Sequence, residues 1–164
     1  MAAMNPCPCG YYTDQTRPCR CTAQQIRQYQ ARISGPLLDR IDIHIEVPSV
    51  KYKDLAGGLA GESSAAIKGR IEKARVVQRE RFPAREIQFN ARMSDKDVKL
   101  FCKVDEDSQK LIEMAIEKLG LSVRAYTKVL KIGRTIADLE EDENIQPRHV
   151  AEAIQHRSLD RKMI

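Results

Sequence analysis

The sequence predicts a mainly α chain, a compact helical bundle over residues 62–164 preceded by a loop-rich segment with one strand. Three observations predict it. Apolar residues recur at helical spacing through most of the second part. Strict alternation occurs at one place, where Ile41, Ile43, Ile45 and Val47 interleave with Asp42, His44 and Glu46. Four of the five cysteines crowd into residues 7–21. The 164 residues, 42% hydrophobic and 31% charged, suffice for one good core or two small ones in a solvated globular chain. No run approaches the roughly 18 apolar residues of a membrane-spanning helix. No charged, apolar, small-residue order opens the chain, so the expected compartment is the cytoplasm.

The first part, residues 1–56, opens on the cysteine cluster. Ala23–Ala31 has helical composition, with Thr22 as its cap. Ser34-Gly35-Pro36 starts a short helix through Leu37, Leu38 and Asp39. The alternating run then reads as a half-buried strand stopped by Pro48, with His44 on its polar face. A lone strand leaves backbone groups without partners, so its neighbours are expected upstream, in a chain that is a fragment. Residues 57–61, Gly57-Gly58-Leu59-Ala60-Gly61, form a glycine hinge.

The second part, residues 62–164, reads as four or five helices. Ser63 or Ser64 caps the first, whose buried face is Ile67, Ile71, Ala74 and Val77. A short turn spans Asp95–Cys102, with Cys102 a core residue. Leu111, Ile112, Ala115, Ile116 and Leu119 line a helix stopped at Gly120. Ser122 caps the longest helix, with Val123, Tyr126, Leu130, Gly133 and Ala137 on one face. The last starts at Pro147 and buries Val150, Ala151 and Ile154.

Cys7-Pro8-Cys9 and Cys19-Arg20-Cys21 are two Cys-x-Cys pairs, a set whose four thiolates suit tetrahedral zinc. Two disulfides or four free thiols are the alternatives. His44, His149 and His156 are scattered and form no nucleophile–base pair, and a Gly-x4-Gly-Lys-Ser/Thr phosphate loop is absent, so the chain alone is not a complete enzyme. Arg40 ends a turn, where a planar, always charged guanidinium reaches across an interface. Arg124 sits in the first turn of a helix, where a cation opposes the dipole unless an anion joins it. Spacing leaves both as surface ion-pairing charges or phosphate ligands.

Met4-Asn5-Pro6-Cys7-Pro8-Cys9-Gly10-Tyr11, Cys19-Arg20-Cys21 and Arg32–Asp42 resemble one family, as do Leu121–Tyr126, Arg134–Leu139 and His149–Gln155. Together they look like the C-terminal part of the Mg-chelatase-like AAA+ ATPases of the competence-protein ComM (YifB) group. The resemblance implies that residues 1–56 are the trailing edge of an α/β ATPase core and residues 62–164 its helical lid. It further implies that Asn5 is the sensor 1 amide at the γ-phosphate, Arg40 the arginine finger and Arg124 sensor 2. The Walker A and B motifs, ATP and Mg binding belong upstream in such proteins. The implied activity is ATP hydrolysis by a homo-hexameric ring that translocates on DNA in branch migration. An alternative is a metal-binding nucleic-acid module that uses the cysteine loop and the basic stretch Glu62–Arg92, which holds eight Lys/Arg against four Glu. A magnesium-chelatase subunit is a third reading.

Overall fold

A computed structural model describes residues 1–50, 61–82 and 88–157. The chain divides into two units, Met1–Arg40 with Glu46–Leu59, and Ile41–Ile45 with Ala60–Ile164.

In the first unit, α1 (Ala23–Gln30) begins at Thr22 as expected. Thr22 Oγ1 accepts from Gln25 N–H at 3.3 Å while Gln25 Oε1 accepts from Thr22 N–H at 2.9 Å, a reciprocal capping box. Helix α2 (Gly35–Leu38) starts after Ser34 with Pro36 in its first turn, where a missing N–H costs nothing. Among the described residues, the buried apolar side chains of this unit are Cys7, Ile26 and Leu38, too few for a core that holds itself together.

The second unit is the helical bundle. It comprises α3 (Ser64–Arg81), a 3₁₀ turn (Asn90–Arg92), α4 (Asp95–Phe101), α5 (Glu106–Leu119), α6 (Val123–Leu139) and α7 (Pro147–Gln155). Ser63, Ser94, Asp105 and Ser122 each accept an N–H of the first turn they precede, satisfying an orphan donor. Helix α5 ends at Gly120 with φ 63°, the left-handed conformation that glycine adopts without strain. Helix α6 is central and packs against α3, α4, the 3₁₀ turn and α7. Its Ala125, Val129, Leu130 and Ile136 meet Ile112 and Val150 in the core.

A polar staple lies beside that core. The buried carboxylate of Asp138 takes Arg81 Nη1 at 2.8 Å and Nη2 at 2.5 Å, Arg134 Nε at 3.0 Å and Asn90 Nδ2 at 2.7 Å. Arg134 also reaches the carbonyls of Asp142 and Glu143, both at 2.6 Å, and so ties the loop that follows α6 back to its own helix.

Several expectations are corrected. No strand forms among the described residues: Ile43, Ile45 and Val47 are exposed while His44 is buried, and His44 N–H bonds the carbonyl of His156 at 2.7 Å. The alternation that reads as a strand has no second strand to pair with here, and a fixed point on the bundle turns the opposite residue inward. Ile67, Ile71 and Val77 are exposed, and Ala74 with Gln78 are the residues α3 buries. The turn at Asp95–Cys102 is a helix, nucleated by a capping box between Ser94 and Asp97. Helix α3, at 18 residues, is longer than α6 at 17. On α6, Leu130, Gly133 and Ala137 are buried as expected, but Val123 and Tyr126 are exposed, because the first turn meets the core through Ala125 and turns those two side chains away from it. Helix α7 buries Val150 and Ile154 as expected, with His149 and Ala153 added and Ala151 half-buried. Cys102 is buried, and burial pushes its thiol up to about 11, the behaviour of an inert core cysteine. The hinge expected at 57–61 lies outside the described residues except for Gly61.

Candidate functional site

The four clustered cysteines come together. Cys7 is buried and Cys9, Cys19 and Cys21 are half-buried, all as free thiols. Cys7 Sγ lies 3.4 Å from Cys9 Sγ and 3.7 Å from Cys19 Sγ, Cys9 to Cys19 is 3.6 Å, and all four sulfurs fall within 4.8 Å of one another. A tetrahedron with Zn–S bonds of about 2.3 Å has an edge of about 3.8 Å, so the sulfurs stand where one ion would place them. A disulfide needs about 2.05 Å, which none of these pairs approaches.

Local sequence explains the clustering. Gly10 N–H bonds the carbonyl of Cys7 at 3.1 Å, reversing the chain after the first pair, and this turn needs φ 84° at Gly10. The Asp14 carboxylate accepts the N–H groups of Thr16 at 2.6 Å and Arg17 at 2.9 Å, shaping the loop that returns the second pair. Gln30 on α1 donates to the Pro6 carbonyl at 3.1 Å and fastens the loop to its helix. The N–H groups of Tyr11 and Arg20 draw the Cys9 thiol down to about 6, whereas burial pushes Cys21 up to about 12. A divalent cation bound here would displace the remaining thiol protons.

The three sequence-predicted polar residues are all at the surface. Asn5 stands two residues before Cys7, at the foot of the loop. Arg40 follows α2, and its Nη1 donates back to the Pro36 carbonyl at 3.0 Å, which ties the guanidinium to the tip of its own turn. Arg124 lies in the first turn of α6, after the Ser122 cap, between exposed Val123 and Tyr126. Asn5 and Arg40 belong to the first unit and Arg124 to the second.

Other candidate groups are engaged in holding the bundle. Gln146 N–H donates to His149 Nδ1 at 3.0 Å, so the imidazole proton sits on Nε2 and faces Glu140 Oε2 at 3.0 Å. Arg148 bonds both Glu140 and Asp142, so both carboxylates of this group are already engaged by a cation. Of the basic stretch, Lys68 pairs with Glu72, Arg70 with Glu62, Lys73 with Glu141 and Arg81 with Asp138. Arg75 lies over the Phe89 ring at 4.5 Å, and Arg85 lies outside the described residues. Lys68, Arg70 and Lys73 stay exposed in these pairs, and Arg81 alone of the four is drawn into the bundle.

Residues 61–157 match the family described as magnesium chelatase, subunit ChlI C-terminal, and residues 1–55 match magnesium chelatase, subunit ChlI. The chain belongs to this magnesium-chelatase family. It is 42% identical over 160 residues to competence protein ComM of Haemophilus influenzae, covering 97% of the chain and 30% of that protein. It is 38% identical over 165 residues to protein YifB of Salmonella typhimurium (100% of the chain, 31% of the relative). It is 29% identical over 140 residues to protein Mb2921c of Mycobacterium bovis (84% and 27%). The chain thus spans about a third of the length of these relatives. Within the family-like motifs the structure separates two kinds of residue. Arg134, Asp138 and His149 are buried and bonded, while Asn5, Arg40 and Arg124 face outward.

Sequence reasoning missed Gly10 and Gln30, which shape and anchor the cysteine loop, and the Asp138 staple. A signal for the staple was present: Arg134 and Asp138 stand four apart on an otherwise apolar helix face. No helix among the described residues is long and apolar enough to cross a membrane.

Proposed function

We propose that the chain is the C-terminal segment of a cytosolic AAA+ ATPase of the ComM type, supplying Asn5, Arg40 and Arg124 to nucleotides that upstream motifs bind with Mg. The observation that carries this reading is Arg124. A cation in the first turn of α6 opposes the helix dipole, and two exposed apolar side chains flank it. An exposed guanidinium beside exposed apolar side chains is suited to meet an oxyanion and a neighbouring apolar surface, as a ring of subunits sharing nucleotides between them would provide. Arg40, tethered at the tip of its turn, suits the arginine-finger role: it neutralises charge on the transferring phosphoryl group of an adjacent subunit. Asn5 orients the attacking water or the γ-phosphate. The cysteine set holds zinc and shapes the loop that follows Asn5. In the whole protein the ring is a homo-hexamer that translocates on DNA.

The test uses the longer protein. Arg40→Ala should lower ATP turnover by at least about a hundredfold. Mixed into one ring with a phosphate-loop variant, it should recover part of the activity, because each variant supplies what the other lacks. Normal turnover by Arg40→Ala, or no recovery on mixing, overturns the finger assignment. DNA-stimulated turnover that falls steeply with salt supports translocation, whereas turnover indifferent to DNA favours the chelatase reading.

A further inference from the structure

The cysteine loop and the amide before it are mechanically joined. The turn from Cys7 to Gly10 folds back so far that a Cβ on Gly10 would lie 3.9 Å from Asn5 Cγ and 4.0 Å from Asn5 Nδ2. The turn therefore brings Gly10 beside the Asn5 carboxamide, with space between them for no more than a methyl group. On the other side, Pro6, the residue between Asn5 and Cys7, is held by Gln30 Nε2 through its carbonyl at 3.1 Å. Asn5 itself is exposed, so no surrounding core fixes its side chain. An amide that acts on a reacting phosphate has to be held before the reaction, since reorganisation at that moment raises the barrier.

We propose that a metal ion in the four-cysteine site is the positioning device for Asn5, so that metal occupancy regulates hydrolysis, with Gln30 as a positioning residue. The proposal rests on the reading of Asn5 as a nucleotide-facing amide. Ligation through Cys7 and Cys9 pins the turn on which Gly10 packs, and ligation through Cys19 and Cys21 closes the loop behind it. With the metal bound, Gly10 and the Gln30-anchored Pro6 hold Asn5 from two sides. Without it, the thiols part, the turn loosens and the carboxamide samples many rotamers. Nucleotide binding, which depends on upstream groups, is then retained while the chemical step slows.

Two arms test this. In the 164-residue chain stripped of metal and labelled with nitrogen-15, Zn(II) is titrated while the Asn5 side-chain NH₂ resonances are followed, assigned by their loss in Asn5→Asp. They should shift and narrow, saturating at one zinc per chain. Zinc that protects all four thiols from alkylation while leaving the Asn5 resonances unmoved overturns the coupling. In the longer protein, Gln30→Ala should keep its zinc yet lower kcat by about tenfold with KM within about twofold. Unchanged kcat in Gln30→Ala, beside a strong loss in Asn5→Ala, overturns the positioning role. Unchanged kcat in Asn5→Ala itself overturns the nucleotide-facing reading, and with it the regulation of hydrolysis, while the resonance titration decides the coupling on its own.

Discussion

The two units solve the same problem by different means. The bundle buries a continuous apolar cluster from Phe82 to Ile154 and caps its helices with serine and aspartate, so its order follows from packing. The cysteine unit buries three apolar side chains among its described residues and gathers four sulfurs instead. A segment with so little core gains order from a cross-link or a metal, and the four gathered thiols are suited to one. The residues proposed to meet nucleotide divide along the same line: the cysteine unit carries Asn5 and Arg40, and the bundle carries Arg124.

The largest effect that could break this comparison is metal removal. Cys21→Ser should lower zinc affinity by well over the roughly 10–100-fold typical of losing a supporting partner. It should also expose residues 1–40 to protease while the thermal transition of the bundle stays within a degree or two. Limited proteolysis with and without zinc, beside a melting curve, measures both. A bundle transition that falls with the cysteine unit would show that the two are one cooperative body.

The converse perturbation is Asp138→Asn, which keeps the shape of the staple but leaves Arg81 and Arg134 without their counter-charge. Breaking a buried pair on one side costs about 3–5 kcal/mol, so Tm of the bundle should drop by more than about 10 °C. Zinc stoichiometry of the cysteine unit should stay at one. A loss below about 1 kcal/mol would mean that the staple is hydrated and contributes little.

How much of this was legible in the sequence also divides along the two units. Bundle helices announced themselves through serine caps, Gly120 and the apolar faces of α6 and α7. Faces failed where a helix outruns its neighbours: Ile67 and Ile71 continue the stripe of Ala74 past the edge of the core, and periodicity has no information on where a partner ends. The strand failed because a period of two states which residues share a side, and not whether another strand exists to receive them. Cysteine spacing pointed to the four thiols that the structure gathers. The groups that hold their loop, Gly10 and Gln30, carry no motif of their own, since one acts through a positive φ and the other through a single bond to a carbonyl.

A smaller effect tests the electrostatics at the end of α6. Arg148, and then the His149 N–H, hold the Glu140 carboxyl below its usual range. A carboxylate depressed in the folded state contributes stability that is complete above its ordinary value of 4.5 and is lost as pH falls beneath it. Glu140→Gln should therefore lower Tm at pH 7 and flatten its decline between about pH 5 and pH 3. An unchanged acid limb would assign that decline to other carboxylates.

The smallest effect is a gain, and it compares two helix ends inside the bundle. Gly120 closes α5 with φ 63°, and Glu141 follows α6 with φ 61°, the same left-handed conformation carried by a residue with a Cβ. That conformation is enforced because Asp142 N–H reaches back to the Ala137 carbonyl at 2.8 Å, as helix ends of this kind require. For a side chain other than glycine it costs about 1 kcal/mol or more. Opposing this, Glu141 pairs with Lys73 at 2.7 Å, but both side chains are mostly exposed, so the pair contributes little and salt screens it. Glu141→Gly should thus stabilise the bundle by about 0.5–1 kcal/mol. Gly120→Ala, at the matching position, should destabilise it by about 1 kcal/mol. Urea midpoints followed by helical circular dichroism measure both, and the gain from Glu141→Gly should grow at 1 M salt, where the reference chain no longer benefits from Lys73. If Glu141→Gly destabilises at low salt and this loss vanishes at 1 M, the ion pair and not the backbone governs that helix end.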